Sequence, residues 1–194
     1  MGRPVRQVQG PRRAAPLTDG ERATPPERRG PTGWVLAAIG TIILLDQLTK
    51  SWAVANLADG PRHVFGDTVE LALTRNGGSA FSRFQGMTPI LAVGAIIVTI
   101  VLARVLRHAN DRLLIIALTL LLGGALGNLA DRVFRTPGFL RGHVVDFVAV
   151  GWWPVFNVAD SCVTIGAILL IVCSLRTPAR PKPLPSPPAP PPSS

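Results

Sequence analysis

GGALGNLADRVFRTPGFLRGHVVDFVAVGWWPVFNVAD, residues 123–160, closes one apolar run, crosses a short polar excursion and opens a second apolar run, carrying Asp131, Asp146 and Asp160 on the way. An ionised aspartate in hydrocarbon costs from about 2.5 to more than about 10 kcal/mol, so acids at the ends of apolar spans are candidates for a functional site. Whether the flanking runs cross a bilayer decides the fold.

Four stretches have the length and apolarity to span: residues 34–57, interrupted by Asp46, Gln47, Thr49 and Lys50, then 89–106, 113–130 and 156–175. The expected fold is an all-α membrane protein, a four-transmembrane-helix bundle with a small extracytoplasmic β-sheet platform. Basic residues set the expected orientation. Arg3, Arg6, Arg12, Arg13, Arg22, Arg28 and Arg29 precede the first span, Arg104, Arg107 and Arg112 crowd the short turn between the second and third, and Arg176, Arg180 and Lys182 follow the fourth. The positive-inside rule then puts both termini in the cytoplasm. Asp46 falls roughly 18 Å along the first span at 1.5 Å per residue, and Lys50 one turn further out. Asn128, Asp131 and Arg132 come at the outer end of the third span, Asn157 and Asp160 at the start of the fourth. The unusual polar residues thus converge on one level, near the outer leaflet.

The composition suits this division. Hydrophobic residues make up 47% and charged ones 16%, between a soluble domain and a fully buried membrane protein. Residues 1–33 and 177–194 are rich in Pro and Arg without hydrophobic period and are expected to be disordered cytoplasmic tails flanking a membrane domain at 34–176. The net charge of +9 sits mostly in these tails and in loops beside apolar segments, a placement that fits anionic lipid head groups rather than nucleic acid. About thirty polar residues precede the first apolar run, so that run reads as a retained anchor and not a cleaved signal peptide. The two cysteines, Cys162 and Cys173, lie roughly 16 Å apart on one helix, too far for a disulfide, and are expected in the core.

The first outer loop holds HVFGDTVELALTR (63–75), with the near-alternation of a strand, and ends in the turn-forming NGGSAF (76–81). The second carries Trp152, Trp153 and Pro154, an interfacial anchor and a break before the last span.

Two carboxylates within hydrogen-bonding distance share a proton, one keeping it while the other deprotonates water, as in aspartic proteases. Asp146 and Asp160 are the candidate pair. The alternative for Asp160 is an acid stabilised by a helix N-terminus, and for Asp146 a loop acid paired with Arg141. Asp46 and Lys50, at i and i+4, read as a structural ion pair. Asn128, Asp131 and Arg132 read as a polar bracket at the end of the third span, with Asp131 held beside Arg132 and also the rival member of the acid pair. Gly123 and Gly127 suit close helix packing. Ser79 with His63 or His143 lacks the context of a nucleophile elbow, and the histidines show no zinc-ligand spacing. A proton-coupled transporter remains a rival, with Asp46, Lys50, Asp131 and Asp160 as relay groups.

DQLTK (46–50), NGGSAF (76–81), GGALGNLADR (123–132), GHVVDF (142–147) and FNVAD (156–160) together resemble the successive motifs of the lipoprotein signal peptidase family, also called signal peptidase II. The resemblance implies a bacterial inner-membrane aspartic endopeptidase, with its site near the outer face, that cuts before a lipobox cysteine already carrying diacylglycerol. It implies Asp146 and Asp160 as the catalytic acids, with Asp46, Lys50, Asn76, Gly78, Asn128, Asp131, Arg132 and Asn157 as substrate-binding or structural support. It implies no metal or organic cofactor, diacylglyceryl prolipoproteins and membrane lipids as partners, and globomycin as inhibitor.

Overall fold

The structure, a computed structural model, describes residues 33–66, 68–78 and 88–176. The two tails and residues 79–87, including Ser79, lie outside the described residues. In chain order the elements are α1 (Gly33–Asn56), β1 (Arg62–Phe65), β2 (Val69–Asn76), α2 (Thr88–His108), α3 (Arg112–Phe134), β3 (Val144–Val150), β4 (Trp153–Phe156) and α4 (Val158–Arg176). All four helices are long and apolar enough to cross a membrane. At 1.5 Å per residue even the 19-residue α4 approaches the roughly 30 Å of a hydrocarbon core. Large side chains such as Leu44, Leu48, Ile90, Ile97, Ile168 and Ile171 are exposed along the bundle, as a lipid-facing surface requires.

Lipid tails are as apolar as leucine, so hydrophobicity alone does not hold spans together; close packing and polar contacts must. Here α3 is the central helix, touching α1, α2 and α4, and small residues let the others approach. A Cβ at Gly123 would meet Ile42 of α1 at 2.9 Å, one at Gly124 would meet the Ala159 carbonyl of α4 at 2.5 Å, and one at Gly166 would meet Leu121 at 2.8 Å. At the turn end, Asp111 caps α3 by accepting from the Leu114 N–H at 2.8 Å. Val35, Ile39, Leu106, Leu118 and Leu122 fill the core towards that end.

The other end carries a four-stranded antiparallel sheet in the order β1-β2-β3-β4. Only its first hairpin matches the strand expected from the sequence. VVDFVAV and WPVF, read as a loop with an anchor and a break, are β3 and β4, so Asp146 lies on a strand and the fourth helix begins at Val158 rather than residue 156. Trp152 and Trp153 do form an exposed edge-to-face pair at the β3–β4 turn. Phe147 packs with Ala53 and Leu57, seating the sheet on the end of α1.

The return from α3 into β3 depends on Gly142. Its N–H donates to the Arg132 carbonyl at 3.0 Å, while the N–H groups of Arg135 and His143 donate to the carbonyls of Asp131 and Thr136. A side chain at Gly142 would collide with the Asp131 carbonyl. The chain therefore folds back directly over the end of α3. Cys162 and Cys173 form no disulfide with each other and are only half-buried, not core residues as expected: both lie on α4, which packs mainly on α3 and leaves much of its surface exposed.

Gly124→Val should lower apparent stability by about 1–3 kcal/mol through overpacking against Ala159, seen as a lower melting temperature in detergent. Gly94→Ala, with nothing within 4 Å of the added carbon, should melt like the wild type; equal losses in both would contradict the packing account.

Candidate active site

Four charged or amide side chains from two helices, α1 and α3, meet at the sheet end of the bundle. The Lys50 ammonium lies 2.8 Å from Asp46 Oδ2, 2.8 Å from Asp131 Oδ2 and 2.8 Å from Asn128 Oδ1. Asp46, Lys50 and Asp131 are fully buried. Three acceptors match the three N–H bonds of an ammonium, so the burial leaves no donor unpaired. Asp131 also takes Arg135 Nε at 2.6 Å. Two carboxylates thus face two cations, the arrangement that makes buried charge tolerable.

The expected pairing of Asp131 with Arg132 is not what the structure has. Neighbouring residues on a helix point to different faces, whereas i and i+4 share one, so Asp131 pairs with Arg135 and with Lys50 across the bundle. Arg135 escaped the sequence reading although its spacing from Asp131 marks it. So did Gln47, whose amide donates to Asp131 Oδ1 at 3.1 Å, the Gly127 carbonyl at 3.1 Å and Asp46 Oδ2 at 3.2 Å.

The network continues to Asp146 and Asp160. Asp46 Oδ1 accepts from the Ala159 N–H at 3.0 Å, capping the start of α4 from another helix. Asn157 is the N-cap of α4: its Oδ1 accepts from the Asp160 N–H at 2.9 Å, and Asp160 Oδ2 accepts from the Asn157 N–H at 3.3 Å. This reciprocal pair is a capping box. It fixes Asp160 at the third helical residue, where Asn128 donates to its other oxygen at 2.7 Å. Asn157 Nδ2 reaches the other way, to Asp146 Oδ1 at 2.6 Å. Asn76 of β2 donates to Asp146 Oδ2 at 3.2 Å, and its own Oδ1 accepts from the Gly78 N–H at 2.8 Å. Asn157 therefore touches both acids, and no contact joins Asp146 to Arg141 among the described residues.

The two acids differ in setting. Asp146 is buried and Asp160 is partly exposed. Burial, and then the charge of Asp160, push the Asp146 carboxyl up to about 6 against the hydrogen bonds from Asn76 and Asn157. The Arg132 guanidinium is electrostatically coupled to Asp131, Asp146 and Asp160. One of its terminal nitrogens, Nη1, is buried without a hydrogen-bond partner among the described residues, about 3.9 Å from where a Cβ at Gly78 would stand. Gly78 has a φ of +98° and a side chain there would collide with Leu91, so glycine is required beside that nitrogen. All ten residues singled out in the sequence are thus gathered at one end of the bundle.

The fold and this centre define a class: a multi-pass membrane protein whose polar centre lies where the bundle meets its sheet. A solved bacterial membrane enzyme superposes with a TM-score of 0.64 at 31% identity, covering 74% of this chain and 94% of that one, and a second with the same score at 29%. The chain belongs to the signal peptidase II family, whose model, described as signal peptidase (SPase) II, matches residues 38–176. A lipoprotein signal peptidase of Rhodococcus jostii is 53% identical over 137 residues, spanning 70% of this chain and 69% of that protein. One of Mycolicibacterium smegmatis is 45% identical over 172 residues, spanning 87% and 72% respectively. The protein is therefore a peptidase.

Replacing Lys50 by Met should strand Asp46 and Asp131 in the interior and cost about 3–5 kcal/mol, visible as a large fall in melting temperature or in folded yield; a variant melting like the wild type would contradict the shared-cation account. A second expectation concerns pH. Because the folded-state pKa of Asp146 is raised to about 6, the stability this group contributes is complete below its unfolded value near 4 and is lost as pH rises through about 6. The melting temperature of the wild type relative to Asp146→Asn should accordingly drift downward between about pH 4.5 and 7.5. A constant difference would argue against the shift.

Proposed function

We propose that this chain is an aspartic endopeptidase that removes the signal peptide from prolipoproteins, cutting on the amino side of a diacylglyceryl-modified cysteine. The observation that carries the reading is the bridge at Asn157, which holds Asp146 on the strand and Asp160 on the helix to one point. Relatives named lipoprotein signal peptidase supply the substrate class. The transporter reading has no such support, and a relay across a bilayer needs acids at several depths, whereas these gather at one end.

In this mechanism Asp160, partly exposed, takes a proton from water while Asp146, buried and raised, holds the shared proton. The hydroxide attacks the carbonyl carbon of the residue before the cysteine, and Asp146 protonates the carbonyl oxygen. The unpartnered Arg132 Nη1 is the group available to bind substrate oxygen, in the manner of an oxyanion donor. Collapse of the tetrahedral species breaks the C–N bond, and Asp160 returns its proton to the leaving amine of the lipidated cysteine. The signal peptide departs with a new carboxyl terminus, and Asp146 regains its proton from the second hydroxyl. Asn76, Asn128 and Asn157 orient the acids; Asp46, Lys50 and Asp131 hold those asparagines and the start of α4. No step calls on a metal or cofactor.

Arg104, Arg107 and Arg112 cluster at the α2–α3 turn, opposite the sheet, which supports cytoplasmic termini and a site near the outer face. There the substrate's acyl chains stay in the leaflet while confinement brings the scissile bond to the acids.

Asp146→Asn and Asp160→Asn should each reduce cleavage of a diacylglyceryl precursor by about 10²–10⁴-fold or more, with the protein still accumulating in membranes and with wild-type turnover blocked by globomycin. Mass spectrometry of the product should give a lipidated cysteine as the new N-terminus. Undiminished turnover in either variant would refute the acid pair.

A further inference from the structure

The sheet has a second face. In the β2–β3 register Thr74 stands opposite Asp146 and Asn76 opposite Val144, while Arg75 stands opposite Val145. Side chains alternate along a strand, so Arg75 and Val145 lie on the face turned away from Asp146. A cavity of about 300 Å³ opens on that side, lined by Val54, Phe134 and Val145 and by Arg75, Arg135, Thr136 and His143. Its two halves differ in chemistry. Val54 and Phe134 come from the sheet ends of the spans α1 and α3, and Phe134 is 84% exposed, so the apolar wall is continuous with the lipid-facing surface. The polar half is cationic. Arg75 forms no ion pair among the described residues, and only the Nε of Arg135 is engaged, by Asp131, leaving its terminal nitrogens without a protein acceptor there.

We propose that this cavity binds the phosphodiester of an anionic phospholipid from the leaflet on the sheet side, with Arg75 and the free end of Arg135 on the phosphate and Val54 and Phe134 along the first part of the acyl chains. Guanidinium forks suit phosphate oxygens, the Thr136 hydroxyl and His143 ring add polar partners, and the volume is that of a small-ligand site. Lys50 and Arg135 together balance Asp46 and Asp131, so the net positive charge of the cavity comes from Arg75, while Arg135 offers its terminal N–H donors. A lipid held here pins β2 and β3 against α1 and α3 from the face opposite Asp146. The inference does not rest on the proposed reaction, because the strand pair separates the two sites.

The test uses the full chain in a neutral detergent, titrated with dioleoylphosphatidylglycerol, with dioleoylphosphatidylcholine or with soluble glycerol phosphate, reading melting temperature and retained lipid by native mass spectrometry. The anionic lipid should raise the melting temperature and remain bound, and the other two should do neither. Arg75→Gln should weaken the apparent affinity about tenfold, the loss expected for one charge-assisted contact, and Arg75→Lys should recover part of it. Arg62→Gln, an exposed cation on β1 outside the cavity, should titrate like the wild type. Equal binding of the zwitterionic lipid, an effect reproduced by glycerol phosphate alone, an unchanged Arg75→Gln titration, or an equal loss in Arg62→Gln would each overturn the proposal.

Discussion

One ammonium group organises this protein. Lys50 spends its three N–H bonds on Asp46, Asp131 and Asn128, and each acceptor uses what remains on another element. Asp46 caps the start of α4 through the Ala159 N–H, Asp131 accepts from the Val145 N–H of β3 at 3.2 Å, and Asn128 donates to Asp160. Desolvating a charge costs several kcal/mol, which only complete pairing offsets. The pairing is complete only when α1, α3, α4 and β3 are all in place, so the polar centre specifies one arrangement of spans that apolar contacts alone would leave free to slide.

The small residues of α3 serve the same end. Gly127 stands directly over Asp46: an added Cβ would come within 2.8 Å of its carboxylate oxygen and 3.3 Å of the Ala159 side chain. A methyl group there would push Asp46 off the Ala159 N–H and off Lys50 together. Gly124 allows the same approach one turn away. Steric permission on α3 is what brings the carboxylate of α1 to the first turn of α4.

Much of this was legible in the sequence because it is local or periodic. The spans follow from runs of apolar residues, the Asp46–Lys50 pair from i,i+4 spacing, and the convergence of polar residues from alternating the direction of successive spans. The second half of the sheet was not. VVDFVAV is apolar at almost every position, as a strand buried by its surroundings is, and it lacks the alternation that betrayed VELALTR; its partner in β2 lies some seventy residues earlier, as the Asn76–Asp146 contact shows. Asn157 looked like a residue inside the last span, but it is the cap that starts it. The partner of Asp131 was sought at the next residue, where the helix turns the side chain away, rather than at Arg135 one turn on.

The strand and the cap together give two chemically identical side chains different surroundings. Asp160 belongs to a helix start, accepts from an amide and a backbone N–H, and retains contact with solvent. Asp146 is enclosed between a strand and two asparagines, and burial, reinforced by the charge on Asp160, favours its protonated form. In the proposed reaction the division into base and acid is then set before substrate arrives, by placing one carboxyl on a helix terminus and the other on a sheet. Since Asn157 binds both acids and begins the helix that carries one of them, the distance between proton donor and proton acceptor is fixed by the same bonds that start α4.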